Sequence, residues 1–260
     1  MLAAAAFGIV IGAALGLLGG GGSILAVPAL VYGVGESVPQ AVTTSLFVVG
    51  VSSGAGAWPR IRAGQVRWTV AAVFGVAGVG TAVAGTAVNR EMSPRVLLVA
   101  FAALMVVVAV RMLVSEVQPR GACAAPDGGV HWQRCLPKAL AAGGAVGFLT
   151  GLFGVGGGFV IVPTLALVLG LEMPLAIGTS LVVIVVNSAA GLLAHAQRAA
   201  IDWPVALVFA GGALVAALLT GHVGARVDGA RLRRWFAWLI VAVALFVGSE
   251  ALLNPGALTH

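Results

Sequence analysis

Gly16-Leu17-Leu18-Gly19-Gly20-Gly21-Gly22-Ser23-Ile24-Leu25-Ala26-Val27-Pro28 and Gly151-Leu152-Phe153-Gly154-Val155-Gly156-Gly157-Gly158-Phe159-Val160-Ile161-Val162-Pro163 stand 135 residues apart in this chain. Each lies inside an apolar stretch, roughly 2–34 and 139–171, that is too long for one ordinary helix. Four of four residues at 19–22 and four of five at 154–158 are glycine. Glycine inside a helix costs about 1 kcal/mol relative to alanine, so the helix is expected to break at each run. Broken backbone at membrane depth is tolerated only where protein buries it or where it lines a cavity.

The surroundings of the two runs point to a membrane. Of the 260 residues, 60% are hydrophobic and 8% are charged, against about 25% charged in a soluble domain. So few polar side chains cannot cover a water-facing surface. A crossing helix needs roughly 20 apolar residues, and further candidates lie at about 41–58, 68–88, 95–114, 175–195, 203–225 and 234–253. The net charge of +6 is spread through short gaps with no basic face, which excludes nucleic acid as an expected partner. The N-terminus carries no basic segment ahead of its apolar run, so no cleavable leader is expected.

The two halves match. At the offset of 135, Gly19 falls on Gly154, Gly21 on Gly156, Gly22 on Gly157, Pro28 on Pro163 and Gly35 on Gly170. Pro39 then falls on Pro174, Thr44-Ser45-Leu46 on Thr179-Ser180-Leu181, and Trp68 on Trp203. The chain is therefore an internal duplication, a common build of secondary transporters. Its expected parts are a first membrane repeat at 1–114, a cytoplasmic linker at 115–137 and a second repeat at 138–260.

Charge decides the expected orientation. If each broken segment crosses once, eight Lys and Arg fall on one side and six on the other. If each is re-entrant or crosses twice, one side collects Arg60, Arg62, Arg67, Arg111, Arg120, Arg134, Lys138, Arg226, Arg231, Arg233 and Arg234, and the other keeps Arg90, Arg95 and Arg198. Eleven against three is the asymmetry that cytoplasmic loops carry. The expected fold is thus an all-α polytopic membrane protein of two inverted repeats. Each repeat is a Gly-broken segment plus three transmembrane helices, and both termini face outward. Cys123 and Cys135 lie in the linker, where a reducing cytoplasm would keep them as free thiols.

A helix restarting after a break presents unpaired N–H groups and its positive dipole end. The candidate anion contacts are therefore Gly20, Gly21, Gly22 and Ser23 in the first half, with Gly156, Gly157 and Gly158 in the second. Thr44, Ser45, Thr179 and Ser180 would add hydroxyls, and Asn187, aligned with Ser52, is a further polar candidate. The bland alternative for the hydroxyls is capping or bonding back to the preceding turn. For scattered glycines such as Gly78 it is close helix packing. Glu36 and Glu172 fall in turns, Asp202 reads as a helix cap before Trp203-Pro204, and His195 as an interfacial residue. No Lys or Arg is expected in the interior. Cys123, His131 and Cys135 lack metal-site spacing, and neither a metal nor a cofactor is expected.

The doubled pattern, GLLGGGGSILAVPALVYGVGESVPQAVTTSL at 16–46 and GLFGVGGGFVIVPTLALVLGLEMPLAIGTSL at 151–181, resembles the sulfite exporter TauE/SafE family of bacterial membrane transporters. The resemblance runs from about residue 5 to 253, and Thr43 departs from its counterpart Gly178. It implies transport of small sulfur-containing anions, sulfite or organosulfonates such as sulfoacetate, across the cytoplasmic membrane. The alternatives are a membrane-embedded enzyme such as a lipid phosphatase, and an anion channel. The enzyme would need acids and arginines converging at one depth, and the spans supply none.

Overall fold

The computed structural model describes residues 2–36, 38–92, 94–114, 132–153, 158–195, 202–224 and 226–253. These residues form ten α-helices and no strand. Helix α1 is Leu2–Leu18, followed by a tight 3₁₀ turn at Gly19–Gly22. Helix α2, Ser23–Pro28, widens into a π-helical turn over Ala29–Val34. The first half continues as α3 (Val38–Arg62), α4 (Trp68–Glu91) and α5 (Pro94–Val114). The second half is α6 (Trp132–Phe153), α7 (Gly158–Leu167), α8 (Met173–His195), α9 (Trp203–Gly224) and α10 (Gly229–Leu253). Residues 115–131 of the expected linker, Cys123 and His131 among them, lie outside the described residues, as do Gly154–Gly157 and Arg198, whereas 132–137 open helix α6.

The first long apolar stretch is a hairpin. The face of Gly22 packs on Leu15 and Ile11 of α1, and that of Gly33 on Phe7, so the chain after the glycine run returns along α1. It leaves the hairpin through Gly35, whose φ of +83° suits only glycine. There the Glu36 N–H donates to Leu30 O across 3.0 Å, which satisfies a helix-end carbonyl. The second half repeats this ending one offset later. Gly170 has φ +67°, and the Leu171 N–H donates to Leu165 O across 3.1 Å.

The tightest helix packing also recurs at that offset. Along α1, Gly8, Gly12 and Gly16 face Phe209, Ala213 and Ala217 of α9; along α6, Gly143, Gly147 and Gly151 face Phe74, Gly78 and Ala82 of α4. A Cβ at Gly12 or Gly147 would overlap the partner's backbone, so these helices touch main chain to main chain, as small residues permit in membranes. Hydroxyls tie the same pairs: Thr81 Oγ1 donates to Gly144 O at 2.7 Å, and Thr220 Oγ1 to Ala13 O at 3.2 Å. Helices α3 and α8 pack antiparallel. Leu46 meets Gly191, Gly50 meets Ser188, Gly54 meets Val185 and Gly56 meets Leu181.

Four helical segments among the described residues are long and apolar enough to cross a bilayer: 68–89, 136–153, 173–193 and 203–224. Large apolar side chains point outward from them; Val76 and Leu193 are each 78% exposed. Helix α3 is longer, at 25 residues, yet its hydropathy is lowered by Thr43, Thr44, Ser45, Ser52, Ser53 and Arg60. All six side chains are buried inside the protein, so the polarity of α3 faces other helices. Asp202 acts as the expected cap, accepting from the Val205 N–H at 3.3 Å.

Candidate functional site

The glycine runs of the two halves meet. Gly20 lies against the carbonyl of Gly158, so closely that a Cβ on Gly20 would coincide with that oxygen. A Cβ on Gly158 would stand 2.7 Å from Ser23 Oγ, 2.8 Å from Ile184 Cδ1 and 3.0 Å from Gly20 Cα. Gly19, at φ +69°, makes the reversal that ends α1. Its face packs on Ile177 and on Ser180 Oγ of α8. Gly20, Ser23 and Gly158 are thus brought into direct contact, with Ser180 against the adjacent Gly19.

The local bonding of these groups is specific. Ser23 donates both its N–H and its Oγ–H, the latter at 2.7 Å, to Gly20 O, so neither donor is free. Ser180 Oγ donates back to Ile177 O at 2.8 Å, the back-bonding alternative. Gly22 faces α1 and not the opposite half, and Gly21 lies in the 3₁₀ turn. Gly156 and Gly157 lie outside the described residues.

The other candidates sit around this centre. Thr179 Oγ1 accepts from the Arg67 N–H at 3.0 Å, tying the α3–α4 loop to the start of α8. That loop explains why Gly178 stands where the first half has Thr43: the Gln65 carbonyl occupies the place of any Cβ. Thr44 and Ser45 are buried at the equivalent start of α3, where the Thr44 hydroxyl stands beside the Glu36 carboxyl. Asn187 is 8% exposed, and its amide lies 3.5 Å from where a Gly78 Cβ would stand.

Sequence reasoning named Asn187 and its match to Ser52 but passed over two features, the neighbouring pair Ser53 and Ser188 and the place of Arg60. Ser52, Ser53 and Ser188 are buried mid-helix hydroxyls that make no hydrogen bond, as is Asn187 Oδ1. Thr86, Thr150, Thr164 and Thr220, by contrast, all bond back to their own helices. Ser52/Asn187 and Ser53/Ser188 are offset pairs, and that spacing was the available signal. The second feature corrects an expectation. Arg60, counted as a loop cation, is fully buried, at 0% exposure. Its Nη2 donates to Leu17 O at 3.1 Å and Gly16 O at 3.4 Å, and Nη1 to Gln65 Oε1 at 3.1 Å. It is pulled inward because the carbonyls ending α1 lack helix partners and carry negative partial charge. Removing it from the charge count leaves ten against three. Among the described residues, no three His, Cys, Asp or Glu side chains are grouped to hold a metal.

Helices with apolar exteriors and polar interiors, joined by a glycine-rich hairpin, define a multi-pass membrane protein. The comparisons make it a transport protein. The family model for the sulfite exporter TauE/SafE matches residues 4–247, and the chain belongs to that family. A probable membrane transporter protein of Xylella fastidiosa (strain 9a5c) is 35% identical over 247 residues, covering 92% of each chain. Probable membrane transporter protein YunE of Bacillus subtilis (strain 168) is 25% identical over 262 residues, covering 94% of each. One from Methanocaldococcus jannaschii, MJ0441, is 25% identical over 264 residues, covering 92% of this chain. No solved structure matches the chain. The family and these relatives make the protein a membrane transporter and not an enzyme.

Proposed function

We propose that this protein is a secondary carrier for small sulfur-containing anions, sulfite or organosulfonates such as sulfoacetate, in the cytoplasmic membrane. The observation that carries the proposal is the meeting of Gly20 with Gly158 among buried hydroxyls. The family's description as a sulfite exporter supports the substrate class. Buried hydroxyls that the resting structure leaves unpaired, those of Ser52, Ser53 and Ser188, offer an oxyanion neutral donors, which suits a carrier that must also release it.

The halves are inverted repeats in this scheme. The antiparallel pairing of the offset-equivalent helices α3 and α8 supports it, as does the charge division of ten against three. The linker, the turn at Arg226–Asp228 and the start of α10 then face the cytoplasm, with both termini outside. Contact between the glycine segments leaves no room for an anion there, so transport requires the two halves to part.

Purified protein should be screened for binding of sulfite, sulfate, thiosulfate, sulfoacetate and simple carboxylates. Uptake into proteoliposomes should saturate with the anion that binds. Binding of carboxylates alone would overturn the substrate class, and flux that never saturates would make the protein a channel.

A further inference from the structure

We propose that Arg60 is the counter-charge of the transported anion, and that it makes the tip of the first hairpin the anion's seat. The proposal rests on the anion reading above and deepens it. The Arg60 side chain is completely buried, and its partners are carbonyl oxygens and one amide, with no carboxylate among them. Its Nε is buried and has no partner. A buried charge without a counter-ion is costly, and the end of the α1 dipole offsets only part of it.

Capping α1 does not require a charge. Gly16 and Leu17 correspond to Gly151 and Leu152 at the 135-residue offset. In the second half, Leu152 O accepts from Asn89 Nδ2 at 2.5 Å. A neutral amide therefore does at the end of α6 what Arg60 does at the end of α1. The guanidinium brings something the cap does not need: a positive charge, and a buried Nε without a partner on the edge that it shares with Nη2, which packs on Gly224 of α9. That edge matches two oxygens of a sulfite or sulfonate group.

The position fits the rest of the site. Gln65, which holds Arg60 Nη1, lays its carbonyl against Gly178. The adjacent Ile177 and nearby Ser180 pack on Gly19. Arg60, the end of α1 and the start of α8 thus form one continuous neighbourhood beside the Gly20–Gly158 contact. An anion taking both Nε and Nη2 draws Nη2 away from Gly16 O and Leu17 O. Binding therefore loosens the hairpin tip, which couples occupancy to the parting of the halves.

The test is sulfite affinity of purified protein, measured by calorimetry beside the anion-free melting temperature. Arg60→Gln keeps an amide able to donate to the α1 carbonyls, removes the charge, and should weaken binding roughly tenfold to a hundredfold. Arg60→Lys keeps the charge but not the fork, and should fall between Gln and wild type. Thr150→Val, at a hydroxyl bonded to its own helix, should bind as wild type. Arg60→Gln binding as tightly as wild type would overturn the proposal. So would equal losses in the Gln and Lys variants that track a drop in anion-free stability, since Arg60 would then be a cap only. If wild type binds no sulfur oxyanion, the function proposed above fails before any variant is made.

Discussion

Adding one methyl group at the crossing of the glycine segments should have effects that rank by what the new carbon meets. On Gly20 it meets the Gly158 carbonyl itself, main chain that cannot turn aside. On Gly158 it meets Ser23 Oγ at 2.7 Å, Ile184 Cδ1 at 2.8 Å and Gly20 Cα at 3.0 Å, two of them side-chain atoms that can give way. On Gly80 of α4 it meets nothing within 4 Å. Overpacking a tight interior costs about 1–3 kcal/mol, whereas alanine for glycine in an open helix position gains about 1 kcal/mol. Gly20→Ala should therefore cost the most, at or above about 3 kcal/mol, with Gly158→Ala nearer 1 kcal/mol. Gly80→Ala should be neutral or stabilising. At roughly 2–4 °C per kcal/mol for a chain of this size, melting of the purified protein in detergent resolves the three. Transport in proteoliposomes should fall in the same order. Equal melting temperatures for Gly20→Ala and Gly80→Ala would refute the contact between the two runs.

The paired stripes make a second expectation: Gly12→Leu and Gly147→Leu should destabilise about equally, and a harmless member of the pair would break the correspondence. Thr179→Val removes the hydroxyl that accepts from the Arg67 N–H and should cost about 0.5–1.5 kcal/mol in melting; a melting temperature equal to wild type would refute that tie. In single-cysteine variants an impermeant reagent should leave position 123 unlabelled in intact cells; strong labelling there would turn the proposed orientation over. In the native protein Cys123 and Cys135 should both titrate as free thiols, and a disulfide between them would place the linker outside.

Composition alone determined that this is a membrane protein, because a chain with 8% charged residues has no other solvent. The first glycine run marked where α1 ends, since four consecutive residues without side chains carry a local cost that no neighbour has to impose. The offset of 135 likewise foretold the matched endings at Gly35 and Gly170, because a left-handed residue is a local demand met by glycine. What only the tertiary structure decided is what each polar group faces. Ser23 and Ser180 have hydroxyls bonded to their own turns, whereas Ser52, Ser53 and Ser188 hold theirs unpaired; the chemical type is the same, and the choice depends on the neighbouring helix. Arg60 is the plainest case. Two residues from Arg62 in sequence, it reads as a second loop cation, yet Arg62 is exposed and lies over the Trp58 ring while Arg60 is sealed inside. The difference is set by the end of α1, 43 residues away, whose unpaired carbonyls become a partner for a cation only once the hairpin has folded back beside α3.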